Sequence, residues 1–214
     1  MIKIENTEVF GWDAAIRGMR NPMNSWRASD STLQDIGNND RQLMQKLCKS
    51  GASHRKFLRM IHAQFDVVAP LYWWKEFETY KIGTVSNSCS TMHKITSKCF
   101  SEEDFSTDRM CTDKESAFKY GIDAISVFND TLETLNYYRN AYIKEVGHND
   151  ELAKNIWYTI IQLLPSSYNQ RRTIDTNYEV LRKMYSERKN HKLYEWREFC
   201  DKIKDFPNSW LITE

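Results

Sequence analysis

The sequence predicts a mixed α/β fold, in the loose sense of a twisted, mostly antiparallel sheet flanked by long helices. Three observations predict it. Residues 1–10 alternate apolar and polar side chains (Ile2, Ile4, then Val9 and Phe10), as a half-buried strand does. Residues 57–80 concentrate aromatic and β-branched side chains, which favour strands. From Phe118 to Val146 apolar residues recur every three or four positions, which makes one face of a long helix. A chain of 214 residues suits one well-packed domain and is short for two. No internal repeat or linker interrupts it, so a single domain over 1–214 is expected.

In chain order, the first strand is followed by a short helix over Gly11–Met19, stopped near Asn21-Pro22. A second helix over Asp40–Cys48 carries Leu43 and Leu47 and ends before Gly51. Phe57–Tyr80 reads as a strand or strand pair bent at Pro70. Gly83–Thr91 is small and polar and reads as a loop whose backbone and hydroxyls are free to bind. Thr112-x-x-Glu115 forms a capping box for the long helix, which Gly147 ends. Asp150–Leu164 follows, with Leu152, Ile156, Ile160 and Leu163 on one face and Pro165 as its stop. Two further helices fit Asp175–Arg188 and His191–Lys204.

Composition excludes several classes. Net charge is +1, which argues against a broad nucleic-acid or membrane footprint, so any anion must be held by a few placed residues. No apolar run reaches membrane-spanning length. The five cysteines (Cys48, Cys89, Cys99, Cys111, Cys200) are odd in number and form no C-x-x-C pair, which argues against a metal site. With no secretory pattern at the start, reduced thiols in the cytoplasm are the expectation.

The residues richest in chemical meaning lie between Pro165 and Arg188. Arg171 and Arg172 stand just before a helix expected to begin near Thr173–Thr176, where free amide donors and an adjacent Arg would make a phosphate site. Asn177 and Arg188 are eleven residues apart, three helical turns plus roughly 20°, hence on one face. An amide and a guanidinium so aligned could read the edge of a base or flavin ring. The plain alternative is a surface helix with Arg188 paired to Glu187 or Glu195.

The run Leu164-Pro165, Arg171, Asn177, Leu181 and Arg188 resembles the C-terminal signature of the flavin-dependent thymidylate synthases, with every spacing kept. The resemblance implies that Arg171 and Arg188 engage a pyrimidine deoxynucleotide such as dUMP, and that Asn177 lies against FAD. The family's Arg two residues after that Asn is Glu179 here. Upstream, His54 and Val68-Ala69-Pro70 resemble the histidine-led strand that enters the family's signature motif. Carried forward without gaps, that motif falls on Thr79 to Thr91, where only Lys81 for Arg and Thr84 for Ser are conservative. A register slid by two residues would instead match Asn87 and Ser90. The similarity covers about residues 40–204; it implies flavin contacts for His54, Lys81 and Ile82, and a homotetramer with shared active sites.

Other residues carry two readings each. Cys89 falls where the family has a serine near the nucleotide; its thiol could add at C6 of the pyrimidine and activate C5, or be a buried structural group. Glu76 aligns with a family Gln and could bind a base edge or pair with Lys75 or Lys81. His54 could contact flavin or be a surface residue, and Tyr72, Trp73 and Trp74 could stack on a ring or fill a core. The expected function is C5 modification of a pyrimidine deoxynucleotide, methyl or hydroxymethyl, with FAD, methylenetetrahydrofolate as one-carbon donor and NADPH as reductant. The rival is a nucleotide-binding or scaffolding relative that has lost flavin chemistry, a reading that Glu179 and the missing Arg-His-Arg favour.

Overall fold

In the computed structural model, residues 2–32, 35–111 and 119–214 are described. The alternation at the start of the chain is strand β1 (Lys3–Phe10), antiparallel to β2 (His62–Pro70), with Lys3 opposite Val68 and Phe10 opposite His62. A bulge interrupts the register between Glu5 and Glu8. Asn6 takes it up at φ 53, a left-handed conformation Asn tolerates, and its Nδ2 donates to Asp66 Oδ2 at 2.9 Å. With β3 (Thr84–Ser88) and β4 (Asn169–Asn177) the sheet order is β1-β2-β4-β3, so the architecture is mixed helix and antiparallel sheet, as expected. The chain divides into two units: residues 2–68, 76–87 and 172–214 form one, residues 69–75 and 88–171 the other.

The first unit holds most of the sheet with α1 (Trp12–Arg20), α2 (Asn38–Lys49), α7 (Tyr178–Arg188), α8 (Tyr194–Lys202) and α9 (Trp210–Thr213). Ala63, Phe65 and Val67 of β2 are buried while His62, Gln64 and Asp66 between them are half-buried, the period of two that a one-sided core imposes. Ile174, Leu181, Met184, Trp196 and Phe199 are buried in the same unit. Asp40 at the start of α2 is fully buried; it accepts from Arg20 Nε at 2.6 Å, Ser29 Oγ at 2.7 Å, Ser31 Oγ at 2.6 Å, and the amides of Asp30 and Ser31. One carboxylate thus ties α1, residues 29–31 and α2 together.

The second unit is built on α4 (Thr91–Lys94), the long α5 (Ala124–Glu145) and α6 (Asp150–Leu163), with the last two packed together and joined through Gly147 at φ 79. Its core is Ile95, Phe100, Phe105, Phe128, Leu135, Ile156 and Ile160. The face that α6 buries is Ala153, Ile156 and Ile160; Leu152 and Leu163, expected on that face, are exposed. The Thr112-x-x-Glu115 box lies outside the described residues.

Four further expectations are corrected. Residues 57–80 are not a strand pair: a 3-10 turn (Lys56–Met60) leads into β2, and α3 (Leu71–Phe77) follows. Trp73, Trp74 and Phe77 are strand-favouring by type, but their spacing buries all three from a helix. Gly83–Thr91 is not all loop, since Thr84–Ser88 is β3. Residues 173–177 are not a helix start but the end of β4, a polar strand held between β2 and β3, and α7 begins only at Tyr178. The last predicted helix is shorter, Tyr194–Lys202 with a 3-10 turn at Ile203–Asp205.

Candidate functional site

The strand at 169–177 changes the geometry of the two arginines. Neighbouring strand residues point to opposite faces, so Arg171 and Arg172 cannot grip one phosphate side by side. Arg172 is five strand residues before Asn177, about 16 Å at 3.3 Å each, too far to complete a site at the N-terminus of α7. Its Nη1 donates to Glu78 Oε1 at 2.8 Å. Arg171 is exposed, and its carbonyl accepts from the Cys89 amide at 3.0 Å.

Asn177 is the N-cap of α7, not part of its face. Its Oδ1 accepts from the Val180 amide at 3.1 Å, and its Nδ2 lies 3.5 Å from the Gly83 carbonyl. Gly83 is held at φ 77, and a Cβ there would meet Asn177 Nδ2 at 2.9 Å. These contacts set the rim of a cavity of about 350 Å³ whose wall includes Arg59, Ile82, Gly83, Asn177, Glu179 and Lys183. Ile82 and Asn177, both expected at the flavin, therefore meet at one cavity. Glu179 is gripped by Arg55, whose Nε donates to its two oxygens at 3.1 and 2.9 Å. Lys81 lines a second cavity of about 220 Å³ with Phe77, Tyr80 and Thr84, and His54 sits on an exposed turn.

Arg188, at the end of α7, forms the polar centre of the same unit. Its Nη1 donates to Glu76 Oε2 at 2.8 Å and its Nε to Tyr80 Oη at 2.9 Å, while the guanidinium lies 4.8 Å over the Trp196 ring. Its pairing is thus with Glu76, not Glu187 or Glu195. Consecutive helical residues do not face each other, and Glu187 instead accepts from the Tyr80 hydroxyl at 2.7 Å. By the same pairing, Glu76 is taken by Arg188 rather than by Lys75 or Lys81, and it also accepts from Trp196 Nε1 at 3.0 Å. His191 Nδ1 accepts from the Leu193 amide at 3.1 Å, and its Nε2 lies 2.8 Å from Arg188 Nη1 and 3.4 Å from Glu76 Oε2. Burial pushes the Tyr80 phenol up to about 12, so it stays protonated between its two partners. The Nη2 of Arg188 makes no hydrogen bond among the described residues, which leaves donors on a fixed guanidinium for an incoming anion.

The remaining candidates lie elsewhere. Cys89 is exposed, which overturns the buried-thiol alternative; Cys48 and Cys200 are the buried ones, and burial pushes both thiols up, Cys200 to about 12. Cys89, Ser90 and Arg171 belong to the unit of residues 88–171, and exposed Asn87 to the sheet unit. Ser90 caps α4 by accepting from the His93 amide. Trp73 and Trp74 are core residues, Trp74 Nε1 donating to the carbonyls of Ala69 and Gln170 at 3.0 Å each. Arg55, Arg59 and Lys183 were missed by sequence reasoning. The spacing of Glu179 and Lys183, four apart on one helix, was the available signal.

Among the described residues no cluster of His, Cys, Asp and Glu could hold a metal, and no helix is long and apolar enough to cross a membrane. No protein-family model and no curated protein matches the chain. Solved structures do. A crystal structure of the flavin-dependent thymidylate synthase ThyX from Helicobacter pylori complexed with FAD and dUMP matches with a TM-score of 0.67 at 16% identity, over 99% of this chain and 97% of that one. A second ThyX structure from that organism, also with FAD and dUMP, gives 0.68 at 16% identity, over 100% and 97%. The chain has the fold of these proteins along its whole length.

Proposed function

We propose that the chain is a flavin-dependent thymidylate synthase-like enzyme that modifies C5 of a pyrimidine deoxynucleotide. The observation that carries this reading is the whole-length match to FAD- and dUMP-bound ThyX by a chain that also keeps the Pro165, Arg171, Asn177, Arg188 spacing. Arg188 suits an anionic nucleotide because Glu76, Tyr80 and Trp196 fix it without using all its donors. The cavity at Asn177 and Ile82 fits part of a flavin cofactor: its volume is at the lower end of the range for small-molecule sites, about 300–1,000 Å³. FAD in reduced form would supply a hydride there, with methylenetetrahydrofolate giving the one-carbon unit and NADPH the reducing power. Asn177 and Ile82 would border the ring, with Lys81 and His54 as outer contacts; Arg171, Glu76, Asn87 and Ser90 are the further candidates toward the nucleotide. A homotetramer and a single domain over 1–214 belong to the same proposal, as does a cytoplasmic setting.

Incubation with dUMP, FAD, methylenetetrahydrofolate and NADPH, followed by mass analysis of the nucleotide, tests it. A methylated or hydroxymethylated product is expected; unchanged dUMP, and unchanged dCMP in a parallel incubation, would sink the enzyme reading. The rival, a nucleotide-binding relative without flavin chemistry, is favoured by one feature, the carboxylate of Glu179 in the cavity wall.

A further inference from the structure

An acid at position 179 opposes a phosphate-bearing ligand in this cavity, yet the surroundings of Glu179 are cationic. Arg55 engages both of its oxygens, and the two side chains are only 24% and 15% exposed, so its charge is matched before any ligand arrives. Lys183 stands one turn further along the same face of α7 but makes no ion pair among the described residues; its ammonium lies 6.0 Å over the Tyr80 ring. Arg59, on the opposite chain segment before β2, likewise makes no ion pair among the described residues. Arg55 therefore matches the carboxylate, and the further charges, on Arg59 and Lys183, are two that line the same void. The partial positive charge at the start of α7 adds to them. Ile82, 93% exposed, supplies an apolar surface on the same wall.

We propose that Arg59 and Lys183 hold the phosphate groups of the cofactor in this cavity, while Arg55 neutralises Glu179 and keeps it from repelling them. Both are binding residues of a kind the Pro165–Arg188 spacing does not include. The identification of the ligand's ring as a flavin rests on the proposed function; the preference for a phosphate ester rests on the cations alone. Charge-assisted contacts from a guanidinium and an ammonium to phosphate oxygens are the strong class of hydrogen bond, so losing either should be measurable singly.

The test is a fluorescence titration of the full chain with FAD and with riboflavin, beside calorimetry with inorganic pyrophosphate, for the wild type, Arg59→Ala and Lys183→Ala. Both substitutions are at exposed side chains, so an unchanged melting midpoint verifies folding. The expected result is that each variant weakens FAD and pyrophosphate about ten-fold or more while riboflavin binds as in the wild type. If the variants bind FAD and pyrophosphate like the wild type, the phosphate site is overturned and the flavin reading stands. If pyrophosphate binding is lost in the variants but no flavin binds the wild type, the phosphate site is upheld and the flavin reading falls. If the wild type binds neither, both are overturned.

Discussion

Replacing Asp40 by Ala removes the acceptor for five donors at once and strands the guanidinium of Arg20, which is 4% exposed. Arg20 would keep one bond, from Nη1 to the Ser25 carbonyl at 3.1 Å, and no counter-charge. Breaking a buried ion pair from one side costs about 3–5 kcal/mol, which for a chain of this length lowers the melting midpoint by roughly 10 °C. Chemical denaturation of the wild type and Asp40→Ala measures it directly. The double variant Arg20→Met/Asp40→Leu should lose less than Asp40→Ala, because the stranded charge is gone. Burial alone would push the Asp40 carboxyl up, but hydrogen bonds from Ser31, Ser29 and Arg20, with the Arg20 charge, outweigh it and hold the value below the usual range. The group's contribution is therefore complete above its unfolded pKa of about 3.9 and is lost as pH falls through the lower folded value, so the gap to Asp40→Ala narrows only under acid. A loss under about 1 kcal/mol at neutral pH, the range of an exposed pair, would refute the clamp.

Gly83→Ala puts a Cβ 2.9 Å from Asn177 Nδ2 and 3.1 Å from Val180 Cγ2 at φ +77; it should destabilise by about 1–2 kcal/mol in denaturant titration and weaken FAD binding through the Asn177 cap. Among the five cysteines, a thiol reagent on the native protein should modify exposed Cys89, Cys99 and Cys111 quickly and spare Cys48 and Cys200 until the chain unfolds. Cys89→Ser should retain turnover if the hydride route holds, and a loss above a hundred-fold would instead indicate thiol addition at C6. With the Tyr80 phenol raised to about 12, its contribution to stability is complete below the unfolded value near 10 and lost between them; Tyr80→Phe should flatten that alkaline decline in a pH series of denaturation midpoints.

Periodic elements were legible in the sequence. β1, α1 and α2 follow their apolar spacing, and the three-to-four repeat locates α5 and its buried Phe128 and Leu135. That helix is Ala124–Glu145, shorter than expected: Gly121 at φ 72 stands before it, and Ile122 and Val146 of the expected face are exposed. Non-periodic elements were not. β4 reads Asn-Gln-Arg-Arg-Thr-Ile-Asp-Thr-Asn, with one apolar residue, and is a strand because β2 and β3 flank it. α3 was hidden by aromatic residues whose strand preference its packing overrides. At the site, the spacing from Pro165 to Arg188 was visible. The partners were not, since Glu76 lies 112 residues from Arg188 and Glu179 lies 124 from Arg55, separations at which no local pattern signals a contact.

The proposed enzyme needs a flavin bound beside a nucleotide held by Arg188. The visible absorption spectrum of the protein purified without added cofactor, then with FAD and excess dUMP, tests it most directly. Protein-bound flavin bands that dUMP shifts in the wild type and fails to shift in Arg188→Ala are expected. A colourless protein that takes up no FAD, with or without dUMP, would contradict it.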